Sequence, residues 1–454
     1  MATAVALAPL PFGSTDHSTI AFWCIFLGLG LIAASPRNLR TEQYYLLVLA
    51  GLVILAYSFV LHEQLASTPW LAKPHPLWRE TSDLLGIELE PSVSIARHQP
   101  FFSLGASLAA MLATICSFVV CTDPVRARQL LKIVAWSGVV YAIYGFASYL
   151  ADPTSLLWRE KQAYLNVITA TFINRNTAAV YFGSCTIVWL LFLCDRIRDQ
   201  LPTGPIYWRS VASHLLRRMS RDILVASSML FICLAAMFMT GSRAGAILSL
   251  VAMMIAFVAF FYGDLPRRRS LIGVLAIGGL LSIFLLQVLG AGISSRFAAQ
   301  GLEDEGRFET YRSTLRMIAD HPWFGTGLGT FVWSYPAYRS SQISLWGVWD
   351  RAHSTPLELA ADLGLPLAGL IVVSWFVVFA VLIQGVQTRR RNQIIPIAAF
   401  SIAFLALSHS SIDFSLQIPG YAIVVFSLLG AGLAQSFSRK KNISKSPENR
   451  PSGT

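Results

Sequence analysis

Between Gly290 and Pro366 the chain carries its longest polar interruption, rich in arginine, histidine, aromatics and glycine. His353 is the sharpest candidate for chemistry in it. The run His353-Ser354-Thr355-Pro356-Leu357-Glu358 predicts a helix start: Thr355 as N-cap, Pro356 first in the helix, and Glu358 closing a capping box. His353 then sits at a helix N-terminus as a neutral ring able to accept a proton. The plainer reading is a loop histidine bonded to backbone. Arg243 stands in the glycine-flanked turn TGSRAG, either snorkelling to a membrane edge or facing an anion there. A helix predicted over Gly306–Asp320 puts Phe308, Tyr311, Leu315 and Ile318 on one apolar stripe. Arg307 lies at the edge of that stripe. Arg312 and Arg316 turn away from it, Arg316 toward solvent with Glu309 or Asp320. Arg175, in TFINRN, is either a snorkelling residue or a phosphate ligand. His409 and Asp413 are four apart, which on a helix puts them on one face. Arg175, Arg312, His409 and Asp413 are the candidate substrate-binding residues; His353, Arg243 and Arg307 are the candidate catalytic ones.

Other motifs carry less. Gly325-Thr-Gly-Leu-Gly329 lacks the strand-before, helix-after context and the Lys-Ser/Thr of a nucleotide loop, so it reads as a compact turn. His321, ahead of a proline, reads as structural. Glu303-Asp304-Glu305 is the one dense acidic cluster and looks solvated. There is no HExxH and no Gly-x-Ser-x-Gly, so neither a metal nor another cofactor is expected. Arginines with one histidine suit one reaction type. A diphosphate leaving group needs its developing charge neutralised, which guanidinium does with fixed geometry. An acceptor hydroxyl needs a base in reach.

The elements that position these residues are membrane helices. The 454 residues are 55% hydrophobic and 13% charged, against about 25% charged in soluble proteins. The fold class is all-α and polytopic, with about eleven transmembrane helices. The spans run at Ser18–Ala34, Gln43–Leu61, Phe101–Cys121, Leu130–Leu150, Thr177–Cys194 and Ile223–Met239. They continue at Ala244–Tyr262, Leu271–Leu289, Leu367–Val386, Ile394–Ser411 and Gly420–Phe437. Most Lys and Arg fall on one set of connections, which marks the cytoplasmic side and leaves the C-terminus inside and the N-terminus outside. The net charge of +11 reads as this orienting charge, with no basic face for nucleic acid. The N-terminus lacks a basic region, so no cleaved signal is read. The cysteines sit in or beside apolar spans as small core residues. The organisation expected is a bundle over 1–289 with an external loop at 62–100, an external active-site loop over 290–366, three last spans over 367–438, and a disordered cytoplasmic tail over 439–454.

TGSRAG, GRFETYRSTLRMIADHPWFGTGLGTF and AHSTPLELAADLGLPLAG, with TFINRN and HSSIDFSLQIP, resemble the signature blocks of the O-antigen ligase and polymerase family. The resemblance covers about Thr171 to Pro419. It implies a metal-independent, inverting transfer from an undecaprenyl-diphosphate-linked glycan at the periplasmic face of a bacterial inner membrane. It further implies that Arg243 and Arg307 bind diphosphate and that His353 activates the acceptor, either lipid A–core or a glycan repeat. Membrane lipids and a chain-length regulator are the other partners implied. Ser354, Tyr311 and Thr177 depart from residues common in the family, which bears on substrate geometry. A reading of a different class is a glycan transporter or flippase, which predicts broken helices and charge near mid-membrane.

Overall fold

The computed structural model describes residues 1–34, 39–200, 220–264, 276, 278–285, 287, 305–343, 349–389 and 392–437. The loop over 290–304, the acids Glu303 and Asp304, the tail over 439–454 and most of the expected span Leu271–Leu289 lie outside them. The helices, in chain order, are α1 (Ala2–Leu7), α2 (His17–Ala33), α3 (Thr41–Leu65), α4 (Pro76–Leu85) and α5 (Gln99–Val120). Then come α6 (Pro124–Ala151), α7 (Arg175–Gln200), α8 (Arg221–Met239), α9 (Arg243–Phe261) and α10 (Glu305–Asp320). The last are α11 (Phe331–Tyr338), α12 (Thr355–Leu363), α13 (Leu365–Thr388), α14 (Ile394–Ser410) and α15 (Pro419–Gln435). Among the described residues the only strands are a two-stranded antiparallel hairpin, Ser155–Leu156 with Arg159–Glu160.

Among the described residues seven helices are long and apolar enough to cross a membrane: α3, α5, α6, α7, α8, α9 and α13. Shorter apolar helices, α2, α14 and α15, occupy three more of the expected spans. The chain is an all-α, multi-pass membrane protein.

α7 is the centre of the bundle, with every residue from Thr177 to Trp189 buried. A helix so covered, with Thr177, Ser184 and Thr186 buried among its apolar residues, needs protein neighbours on all sides. In lipid that contact is gained by close packing, which small residues permit. A Cβ on Gly183 would stand 2.0 Å from Ser249 Oγ of α9, and one on Gly245 would stand 2.6 Å from Ala179 Cβ of α7. α7 and α9 therefore run side by side in the same sense, with Arg175 and Arg243 at their matching ends. We call this the upper end. α14 packs on both helices and finishes there.

The upper end is roofed by segments 66–98 and 152–174 and by α10 to α12. The turn Gly325–Gly329 is the junction between two of these. Its three glycines have φ of +66°, +114° and +73°, and a Cβ on Gly325 would meet the Asp362 carbonyl carbon at 2.3 Å. Its N–H groups from Thr326 to Gly329 are directed at protein: Thr326 donates to Ala361 O, Gly327 to Asp362 O, Leu328 to Gln64 Oε1 and Gly329 to Asp362 Oδ2. With these four amides consumed, it is a structural turn. His321 is structural too, its Nε2 standing 3.2 Å from Nε2 of His75 at the start of α4.

Candidate active site

α12 forms where expected but starts one residue early. Ser354 is its N-cap, and no side chain caps it. Glu358 does not close a box on Thr355. Its buried carboxylate folds back instead, accepting from Ala352 N at 2.8 Å and pairing with Arg351 at 3.0 Å. Pulling residues 351–352 down onto α12 forces the next residue to turn, and His353 has φ of +53°. A histidine tolerates this left-handed region better than a β-branched residue would. Tyr311 Oη of α10 donates to His353 O at 2.9 Å, and Trp349 and Phe414 stand edge-on to the ring at 5.5 and 5.3 Å.

So held, His353 turns Nδ1 toward Asp413, at 3.4 Å from Oδ1. Asp413 is 1% exposed and is the hub of the site. Asn176 Nδ2 donates to its Oδ2 at 2.6 Å, and Phe414 N to its Oδ1 at 2.9 Å. Thr355 N donates to its backbone carbonyl at 3.3 Å, tying the start of α12 to the segment after α14. Burial pushes the Asp413 carboxyl up. The facing His353 ring and the nearby His409 and Arg307 outweigh it, holding the group below the usual carboxylate range. The carboxylate is therefore charged, and its partner His353 keeps a ring edge accessible, with 26% of the side chain exposed.

Arg307 lies beside this pair, and Arg175 and Arg243 open two helices at the same end of the bundle. Arg307, half-buried on α10, donates Nη1 to Ile412 O at 3.0 Å, next to Asp413 in the chain. Asn174 caps α7, accepting from Asn176 N at 2.7 Å, and this sets Arg175 and Asn176 at the helix mouth. Arg175 lies over the Tyr164 ring at 4.9 Å, with its Nε buried. Arg243 is the first residue of α9, behind Gly241 at φ +65°, and the capping hydroxyl of Ser242 accepts from Gly245 N. The segment before α7 is laid against this hairpin, with Ile168 N donating to Met239 O at 3.0 Å. Two helix N-termini thus present arginines at the end of the bundle where Asp413 and His353 meet, and such termini favour anions.

Several expectations change. α14 ends at Ser410, so Asp413 lies beyond it and does not share a helical face with His409. His409 is buried and bonded through Nδ1 to Ser415 Oγ at 2.9 Å. The α10 stripe packs only in part. Ile318 is buried and Tyr311 half-buried, but Phe308 and Leu315 are each 54% exposed, and Thr310, Ser313, Thr314 and Met317 are buried instead. The hydroxyls of Thr310 and Thr314 bond carbonyls one turn back, at 2.8 and 2.7 Å, which removes their polar cost. The short side chains then let α10 approach α12. Arg316 donates to Tyr338 O at 3.2 Å rather than pairing with an acid. Arg312 is exposed and paired with Glu309 at 2.5 Å, apart from the His353–Asp413 pair. Sequence reasoning passed over Asn176 and Arg351, and read Glu358 only as a helix cap. Asn176 was visible in TFINRN, but nothing local announces a partner 237 positions away. Among the described residues no group of three or more His, Cys, Asp and Glu side chains is placed to hold a metal.

A family model described as O-antigen ligase matches residues 228–373. The match supports the O-antigen ligase and polymerase family for this chain. It spans Arg243, Arg307 and His353, and leaves Asn176 and Asp413 outside. No curated protein matches the chain.

Proposed function

We propose that the chain is a glycosyltransferase that moves a glycan from a polyprenyl diphosphate carrier, undecaprenyl diphosphate in bacteria, to an acceptor hydroxyl. In this reading the acceptor oxygen attacks the anomeric carbon as the bond to diphosphate breaks, inverting that carbon. The hydroxyl proton passes to His353 Nε2, the nitrogen turned away from Asp413. Asp413 orients the ring and balances the imidazolium that forms. Arg307, Arg243 and Arg175 supply positive charge for the departing diphosphate, which needs neither a proton nor a metal to leave. The observation that carries the reading is the buried Asp413 carboxylate facing His353 beside Arg307.

The family supports glycan transfer of the ligase or polymerase type and leaves the two open. With most Lys and Arg on the opposite connections, the site faces the periplasm of a bacterial inner membrane. The charged groups gathered at one end of the bundle weigh against a flippase. The test is transfer by purified protein from a synthetic polyprenyl-diphosphate glycan. His353→Ala abolishes transfer while inserting normally, and a chelator leaves the wild type unchanged. Wild-type-like transfer by the inserted mutant sinks the base assignment, and loss under chelator restored by a divalent ion sinks the metal-free step.

A further inference from the structure

A second feature lies on the other side of the segment that carries His353. A cavity of about 750 Å³ runs between α3, α5, α13 and α15, and Arg351, Thr355 and Pro356 form part of its wall. None of His353, Arg175, Arg243 and Arg307 lines it. On α5 it extends from Gln99 to Phe118, about 28 Å at 1.5 Å per residue, nearly the hydrocarbon thickness of a bilayer. Below the upper end the lining is mostly apolar, with Leu47, Ile54, Met111, Ile371 and Trp375 among it and a few hydroxyls such as Ser107 and Thr114. This length and lining suit a hydrocarbon chain.

The polar end selects the head. Glu358 lines it with both oxygens engaged, by Arg351 and by Ala352 N. Asp362 lines it 3% exposed; its Oδ2 accepts from Gly329 N, and its buried Oδ1 has no hydrogen-bond partner. Burial, then the neighbouring Glu358, push the Asp362 carboxyl well above the usual range. A neutral carboxyl can give or take a hydrogen bond there, and a hydroxyl serves either way. A phosphate would sit against Glu358, whose one arginine is already matched.

We propose that this cavity is a lipid site separate from the diphosphate site, taking a hydrocarbon chain whose head is an uncharged hydroxyl. For its role it rests on the transfer reading: the chain seated here is the anchor of a lipid-borne acceptor, with hydroxyls delivered beside Arg351 toward the far face of the same segment.

The experiment uses the full chain in nanodiscs and two photoreactive probes with the same long alkyl chain, one a glucoside and one a phosphate monoester. The glucoside probe labels peptides of α3, α5 and α13, and unlabelled alkyl glucoside competes. Ala110→Phe and Ile371→Trp, which fill the cavity, lower this labelling at least fivefold. The phosphate probe stays at background there. Equal labelling by the phosphate probe overturns the proposal, as does glucoside labelling that neither competitor nor filling variants reduce. Labelling needs no turnover, so it separates from the transfer reading. In the transfer assay Ala110→Phe raises KM for a lipid-borne acceptor at least fivefold with donor KM unchanged; an unchanged acceptor KM removes the acceptor role.

Discussion

Asp413→Asn tests the arrangement most directly, because it keeps the shape of the side chain and removes its charge. At 3.4 Å an imidazolium and a carboxylate attract by about 5 kcal/mol at an effective dielectric of ~20. That is an upper value. His353 is partly exposed and Arg307 opposes the cation, so roughly 3 kcal/mol is the share that develops as the proton is taken. At ~1.4 kcal/mol per decade, kcat falls about a hundredfold. The assay is single-turnover transfer from a fluorescent polyprenyl-diphosphate glycan, with product resolved on a gel. Donor KM stays near wild type, because the lost interaction belongs to the transition state. Residues acting as one unit are not additive, so His353→Ala with Asp413→Asn is no slower than His353→Ala alone. Asn176→Ala controls for packing: it removes the Oδ2 partner and leaves the His353 contact, and its cost stays under about tenfold. An Asp413→Asn enzyme within twofold of wild type, or a double mutant in which the two losses multiply, would refute the pairing.

Arg312→Ala leaves transfer within about twofold of wild type in the same assay, because its exposed ion pair with Glu309 contributes little. Gly325→Ala lowers thermal stability by roughly 1–3 kcal/mol or more, since φ is +66° and the new methyl meets Asp362 backbone; a melting curve of the purified protein reads it. His75 is held down to about 4 by burial and by His321, from an ordinary 6.5. The released segment takes up a proton below pH 6.5 and the docked one does not, so docking is full above 6.5 and weakens as pH falls toward about 4. Melting temperatures across that window should drop more steeply for wild type than for His75→Phe, and parallel curves would remove His75 from the account.

The spans were legible because a membrane leaves the sequence little choice. A backbone that finds no water must be helical, and its apolar run must match the bilayer. Hence α3, α5 and α13 sit where runs of apolar residues place them. The helix behind His353 was legible for a local reason, since Pro356 and Glu358 announce a helix start. What stayed hidden is what depends on contacts far apart in the chain: Asn176 on Asp413, Arg307 on Ile412, and Thr355 on the carbonyl of Asp413. Periodicity even misled where small hydroxyls were involved. Thr310 and Thr314 count as polar in a sequence, yet each is satisfied by its own helix and can face the core. The same holds for Glu358. A capping glutamate satisfies a backbone N–H, and here that N–H belongs to Ala352 rather than to the helix cap. The change of donor is small in sequence and large in consequence: it folds residues 351–353 back over α12, and that turn brings His353 to Asp413.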